Sequence, residues 1–219
     1  MSLLVTQLIN LFAAVILMLA FAMISQRRIL SLIHLFTLQG AALVAATAVV
    51  GYVTHQPHLY LSAALTLLLK VILIPMLLHR VIKRLDVRWD VEALINVPTT
   101  MLIGIVLVIF AFNLAQPIAR LSSSIAGGTL GIALACVLLS FLMMIIRSKA
   151  VPQVIGFLSM ENALFFAATS ATYGMPMVVE FGVALDVLVG TFIFGIFFFH
   201  IRETFDSLDI HHLEKLKDD

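Results

Sequence analysis

Residues 152–172 read PQVIGFLSMENALFFAATSAT, an apolar stretch that carries one carboxylic acid, Glu161, near its middle. A helix rises 1.5 Å per residue, so a stretch of this length crosses the roughly 30 Å of hydrocarbon in a bilayer. Glu161 would then lie close to the membrane midplane, where an ionisable side chain costs about 2.5–3.5 kcal/mol. A buried acid of this kind belongs to a proton or ion pathway, or joins neighbouring helices through an ion pair or a hydrogen bond.

The composition extends the membrane assignment to the whole chain. Of its 219 residues, 62% are hydrophobic and 11% are charged, whereas soluble domains carry about 25% charged residues. Apolar runs of spanning length, separated by polar breaks such as Gln116-Pro117, predict an all-α integral membrane protein with seven transmembrane helices. The predicted spans are residues 3–25, 31–53, 59–82, 97–115, 125–147, 152–172 and 176–200.

The basic residues predict the orientation of these spans. They concentrate in the first, third and fifth loops and in the C-terminal tail, whereas the even loops contribute only Arg120. Because basic loops stay on the cytoplasmic side, the N-terminus is predicted outside and the C-terminus inside. The residues on the predicted cytoplasmic side are Arg27, Arg28, Arg80, Lys83, Arg84, Arg88, Arg147, Lys149, Arg202, Lys215 and Lys217.

An internal similarity at an offset of 122 residues predicts a repeat. Gln39-Gly40-Ala41 in the second span corresponds to Glu161-Asn162-Ala163 in the sixth, and Ala45-Ala46-Thr47 corresponds to Ala167-Ala168-Thr169. We interpret spans 1–3 and 5–7 as two parallel three-helix repeats joined by span 4; the alternative is chance similarity between alanine-rich helices. The predicted units are a first repeat with its cytoplasmic loop (1–96), a linking helix (97–124), a second repeat (125–201) and a cytoplasmic tail (202–219).

Five polar residues inside the predicted spans are candidates for a proton or ion pathway: Gln39, Lys70, Glu161, Glu180 and Asp186. Glu161 is either a relay group, since burial favours its neutral acid form, or a hydrogen-bonding link between helices. Gln39 occupies the equivalent position of the first repeat but cannot ionise. A proton-linked function would therefore lie mainly in spans 6 and 7.

The remaining candidates leave alternatives open. Lys70 lies at midplane depth and either forms an ion pair with Asp186 or Glu161, or acts as a relay lysine. Pro75 follows five residues later and predicts a kink or local break near Lys70. Glu180 lies nearer the outer boundary, where a functional role and a simple boundary role are equally compatible with the sequence, whereas Asp186 is again near the midplane.

These residues also carry a resemblance to a known family. The stretch Gly156–Leu164, with Glu161 in it, and the stretch 180–189, with Glu180 and Asp186, resemble two glutamate helices of the K-type subunit of complex I and its C-type counterpart in multisubunit cation/proton antiporters. The seven-span length and the N-terminal half, including Gln39 and Lys70–Pro75, are similar to hydrogenase-4 component E, a membrane subunit of group 4 [NiFe] hydrogenase and formate hydrogenlyase complexes. Glu161 and Glu180 carry over by motif; Asp186 does not.

The resemblance implies a non-redox subunit of an ion-translocating redox complex in a bacterial or archaeal cytoplasmic membrane. Antiporter-like membrane subunits and hydrogenase-type peripheral subunits would be its partners, and these would hold the [NiFe] centre and iron–sulfur clusters. No catalytic residue, metal or cofactor is expected in this chain, which has a single cysteine, Cys136, and no nucleic-acid partner is expected. The alternatives are a subunit of a cation/proton antiporter without redox chemistry, or a structural scaffold whose buried charges are paired.

Overall fold

A computed structural model describes residues 3–54, 57–85, 94–121 and 126–172, together with the isolated helical positions Leu188 and Gly195. Within these ranges every residue outside three short connections is helical; the connections are 26–28, 94–96 and 147–149. The helices are α1 (Leu3–Ser25), α2 (Ile29–Thr54), α3 (Pro57–Thr66), a π-helical segment (Leu67–Leu73), α4 (Ile74–Leu85), α5 (Val97–Leu121), α6 (Ala126–Ile146) and α7 (Ala150–Thr172).

Six stretches of the described chain are long and apolar enough to cross a membrane, and they correspond to the first six predicted spans. They are Leu4–Ser25, Ile29–Val53, Leu59–Arg80, Val97–Pro117, Thr129–Ile146 and Val151–Thr169. The third of them is continuous through α3, the π segment and α4. The seventh predicted span, at 176–200, and the tail from residue 202 lie outside the described residues, so the count of seven stays a prediction.

The break predicted at Gln116-Pro117 does not interrupt the structure, because α5 continues through Pro117 to Leu121. A proline inside a helix removes one backbone hydrogen bond and crowds the carbonyl one turn earlier. Both Gln116 and Pro117 lie on an exposed part of α5, so the helix has room to accommodate the ring there. The sequence-based prediction was therefore wrong about where this helix ends.

Four helices, α1, α2, α6 and α7, form the centre of the bundle. α1 packs against α2 and α6, and α7 packs against the same two helices. α5 lies outside them, against α6 and α1. The third span packs against α2. Large apolar side chains fill the interior between these helices, among them Ile16, Phe36, Leu43, Leu139 and Phe166, each no more than 1% exposed. The offset of 122 relates α1 to α6 and α2 to α7, which are neighbours here; the repeat itself stays a prediction.

The first, third and fifth connections meet at one end of the bundle. Arg147 is only 2% exposed, and its Nη2 donates hydrogen bonds to the carbonyl oxygens of Ile24 (2.9 Å) and Gln26 (2.6 Å). These bonds satisfy carbonyls at the C-terminal end of α1, which have no partner within the helix. At the same end, the Leu94 amide donates to the Ile146 carbonyl over 2.9 Å. The three basic connections thus share one side, although which side is cytoplasmic stays a prediction.

Candidate ion-pair site in the helix bundle

The third span departs from α-helical geometry where it carries its lysine. Residues Leu67–Leu73 are π-helical, and the Ile74 amide donates to the Leu69 carbonyl, five residues back. Pro75 follows directly; it has no amide proton for the Val71 carbonyl, and its ring would crowd that carbonyl in a regular α-helix. The departure predicted from Pro75 is therefore a π segment, a feature that often accompanies functional sites.

Lys70 and Glu161 form a buried ion pair. The Lys70 Nζ atom lies 2.7 Å from Glu161 Oε1, and the two side chains are only 3% and 9% exposed. Nζ also lies 5.4 Å from the centre of the Phe165 ring, within the range of a cation–π contact. Of the two partners that the sequence left open for Lys70, the structure places Glu161 beside it; Asp186 and Glu180 lie outside the described residues.

Gly40 on α2 provides the space through which the third span approaches α7. A Cβ atom at Gly40 would lie 3.4 Å from Val71 Cγ2 and 3.7 Å from Lys70 Cβ. The π segment therefore packs almost directly on the backbone of α2 at this point. Because no side chain stands between them, the lysine side chain can reach past α2 to Glu161 at the centre of α7.

The close packing at Gly40 predicts that the cost of a substitution there increases with the size of the new side chain. Gly40→Ala should be tolerated, since its methyl group would make contacts close to ordinary van der Waals distance. Gly40→Leu should separate the π segment from α2 and cost about 1–3 kcal/mol, as overpacking of an interior generally does. Thermal unfolding of the two variants in detergent, compared with the unchanged chain, measures this difference. Equal stability of the alanine and leucine variants would contradict the close packing.

A pair of amides lies beside the ion pair. The Asn162 Nδ2 atom donates to Gln39 Oε1 over 3.2 Å, and both residues are at most 1% exposed. This contact joins α2 to α7 at the position where the predicted repeat has Gln39 in one copy and Glu161 in the other. Among the described residues, Gln39 Nε2, Asn162 Oδ1 and Glu161 Oε2 have no hydrogen-bond partner. The site therefore holds a donor and two acceptors that are available to further groups.

The pair can be neutral in two ways. Removing two charges from water is costly, and a contact at hydrogen-bond distance offsets only part of that cost. Transfer of the proton from Lys70 to Glu161 would give a neutral amine and a neutral acid, so the pair has no net charge in either state.

Three of the five predicted pathway residues lie in this part of the structure, and their role in a pathway stays a prediction. Gln39, Lys70 and Glu161 were predicted as site residues, and the structure brings the three together across α2, the π segment and α7. Asn162 and Gly40 were noted only as members of the repeat, although both adjoin predicted site residues in the sequence. In the described ranges, no three side chains of His, Cys, Asp or Glu come together as metal ligands.

Curated proteins include relatives of this chain. Over 209 residues it is 32% identical to the uncharacterized protein Rv0085 of Mycobacterium tuberculosis (strain ATCC 25618 / H37Rv). The aligned residues cover 94% of this chain and 95% of that protein. Over 182 residues it is 22% identical to hydrogenase-4 component E of Escherichia coli K12, and the aligned residues cover 83% of this chain and 84% of that protein. The protein of the same name in Shigella flexneri matches equally. No family model and no solved structure matches.

Proposed function

This chain belongs to the same family as Rv0085, and from this premise we propose that it is a non-redox membrane subunit of a multisubunit, ion-translocating redox complex of the hydrogenase type. The distant relationship to hydrogenase-4 component E supports membership of such a complex. The six apolar helices support a multi-pass membrane location. We place the complex in a bacterial or archaeal cytoplasmic membrane, with the N-terminus outside.

The observation that carries the proposal is the buried ion pair between Lys70 and Glu161. Glu161 is the middle residue of α7, and Lys70 lies at the middle of the third span. A charged pair at this depth is costly to maintain and is typical of proton relays in pumps and transporters. In the proposed relay, Glu161 takes up and releases the proton through its open oxygen, while Lys70 stabilises the carboxylate after release.

The other candidates extend this relay in the proposal. Glu180 serves as the entry or exit group toward the outer boundary, and Asp186 is a further acid near the midplane. Gln39 contributes a polar, non-ionisable contact beside Glu161 through Asn162. Redox chemistry, with its [NiFe] centre and iron–sulfur clusters, belongs to partner subunits, and antiporter-like membrane subunits are the neighbours of this chain.

A structural scaffold is the second candidate function, and one observation favours it. The ion pair joins the third span to α7, with the two charges paired through one contact of 2.7 Å. A pair that only holds helices together would look the same in a single structure. The two functions differ in what happens when both charges are removed together.

The proposal predicts the composition of the complex that contains this chain. After mild solubilisation, mass spectrometry should find antiporter-like membrane proteins together with iron–sulfur proteins and a nickel–iron subunit, and metal analysis should find iron and nickel. A control purification uses the same affinity tag on an unrelated membrane protein. Antiporter-like proteins without metal would instead support the antiporter alternative, and recovery of this chain alone would contradict every complex-based function.

A further inference from the structure

The π segment carries the lysine of the ion pair at its centre, since Lys70 is the middle residue of Leu67–Leu73. A π turn contains more residues than an α turn because its hydrogen bonds skip one residue further. Conversion of the segment to an α-helix would therefore shift its register by one residue. One residue corresponds to about 100° of rotation around an α-helix, so the direction of a side chain within the segment depends on which register it adopts.

We propose that Leu67–Leu73 is a two-register element that controls the contact between Lys70 and Glu161. In the π register, Lys70 reaches Glu161 Oε1 at 2.7 Å. In the α register, the rotation withdraws the ammonium group from Glu161 and from the Phe165 ring. Pro75 and Gly40 are positioning residues in this element, because neither contacts Glu161 but both determine where Lys70 lies.

The surroundings of the segment allow such a shift. On one side it lies against Gly40, which offers no side chain as an obstacle to rotation. On the other side Leu67, Leu68 and Ile72 are 42%, 55% and 51% exposed. Other helices therefore pack against only one side of the segment. On the exposed side, its side chains can move during a rotation without disturbing the core of the bundle.

Two features favour the π register. In the α register the Pro75 ring would crowd the Val71 carbonyl, and the ion pair attracts Lys70 toward α7. Weakening either should populate the α register. The inference rests on the proposed function only for its consequence, namely that withdrawal of Lys70 would alter proton uptake by Glu161. The register itself can be measured without any transport assay.

A cross-linking experiment on the full chain in its complex reads the register. Gly40→Cys and Val71→Cys are introduced together in a Cys136→Ala background, because the Gly40 Cβ position lies 3.4 Å from Val71 Cγ2 in the π register. Oxidation should form the disulfide, since the sulfur of a cysteine at position 71 can take the place of Val71 Cγ2, next to the side chain of a cysteine at position 40. Mass spectrometry of the linked peptides gives the rate.

Adding Pro75→Ala should remove most of this cross-linking rate. Relief of the clash between the ring and the Val71 carbonyl, which is only part of the proline penalty in a helix, should change the ratio of the two registers by about 10-fold. Pro98→Ala is the matched control, because Pro98 is also the second residue of its helix but follows a non-helical connection. Loss with Pro75→Ala but not with Pro98→Ala supports the inference. An unchanged rate with folded Pro75→Ala overturns it.

Glu161→Gln tests the same element without altering Pro75. If Pro75→Ala does not fold, this variant alone tests whether the segment has two registers. Removal of the carboxylate should lower the cross-linking rate and raise the infrared signal of the segment's regular helical amides. Ser159→Ala changes the same helix as Glu161→Gln but removes only a neutral hydrogen bond to Ser140 on α6, so it should leave both unchanged. An unchanged cross-linking rate in Glu161→Gln overturns the inference and leaves the proposed translocation function untouched, because that function is measured separately.

Discussion

Replacing Lys70 alone with methionine is expected to destabilise the bundle by about 3–5 kcal/mol, the usual cost of leaving a buried charge without its partner. The reason is the near-complete burial of the pair, with side chains 3% and 9% exposed. Glu161→Met should have a comparable effect, because it strands the ammonium group of Lys70. The double variant Lys70→Met/Glu161→Met should recover most of the loss, since two apolar side chains of similar volume need no compensation.

Denaturant unfolding of the four proteins in detergent micelles measures this cycle. The informative quantity is the coupling free energy, which is the difference between the double variant and the sum of the single variants. Ser159→Ala provides a control on the same helix: it removes a neutral hydrogen bond of 2.9 Å to Ser140 and should cost only about 1 kcal/mol. Additive losses for Lys70 and Glu161 would mean that the two side chains do not interact in the folded protein.

Hydropathy was sufficient to predict most of the helices. The cost of exposing polar backbone to hydrocarbon makes a spanning helix the only solution for an isolated apolar run of this length. Length therefore predicts the first six spans well. It failed at Gln116-Pro117, where a proline reads as a break although the helix continues to Leu121. A single proline removes only one hydrogen bond, and a turn at the exposed surface can tolerate that loss.

The positions of Lys70 and Glu161 near the middle of their helices were predictable, but their pairing was not. Counting residues along a helix gives the depth of a side chain, whereas its direction around the helix depends on which neighbours pack against it. The two residues are 91 positions apart in the chain, and the sequence left Asp186 open as an alternative partner of Lys70. In the structure, Gly40 leaves the space through which Lys70 reaches Glu161. The sequence alone does not show which helix packs against Gly40, so this role could not be predicted.

Arg147 shows a different limit of the sequence. Its position after an apolar run predicted only a basic residue in a cytoplasmic loop, and the structure shows a side chain that is 2% exposed and bonds to two backbone carbonyls. Backbone acceptors at a helix end are present in every sequence and leave no signature. Only the packing of α6 against α1 brings this guanidinium group to those carbonyls, so residue type and spacing could not have predicted it.

The double variant Lys70→Met/Glu161→Met is also expected to abolish proton translocation while the complex still assembles. It has no unpaired buried charge, so the helices should pack as before, but α7 no longer carries a group that can bind a proton at its centre. Proton transfer by a positioned side chain accelerates catalysed reactions by about 10²–10⁴-fold, and with a loss of the same order the translocation rate should fall at least roughly 100-fold. Quenching of a pH-sensitive dye in vesicles that contain the complex measures it.

This variant separates the relay from the scaffold more sharply than either single substitution does. A single substitution can lose activity because the bundle is destabilised, and such a loss would not identify the role of the pair. With both charges gone, the scaffold function predicts an assembled complex that translocates protons at the unchanged rate, whereas the relay predicts an assembled complex that does not. Ser159→Ala should assemble and translocate normally under both, which controls for disturbance of α7 itself. The amount of assembled complex, determined from its co-purifying subunits, must therefore accompany each rate.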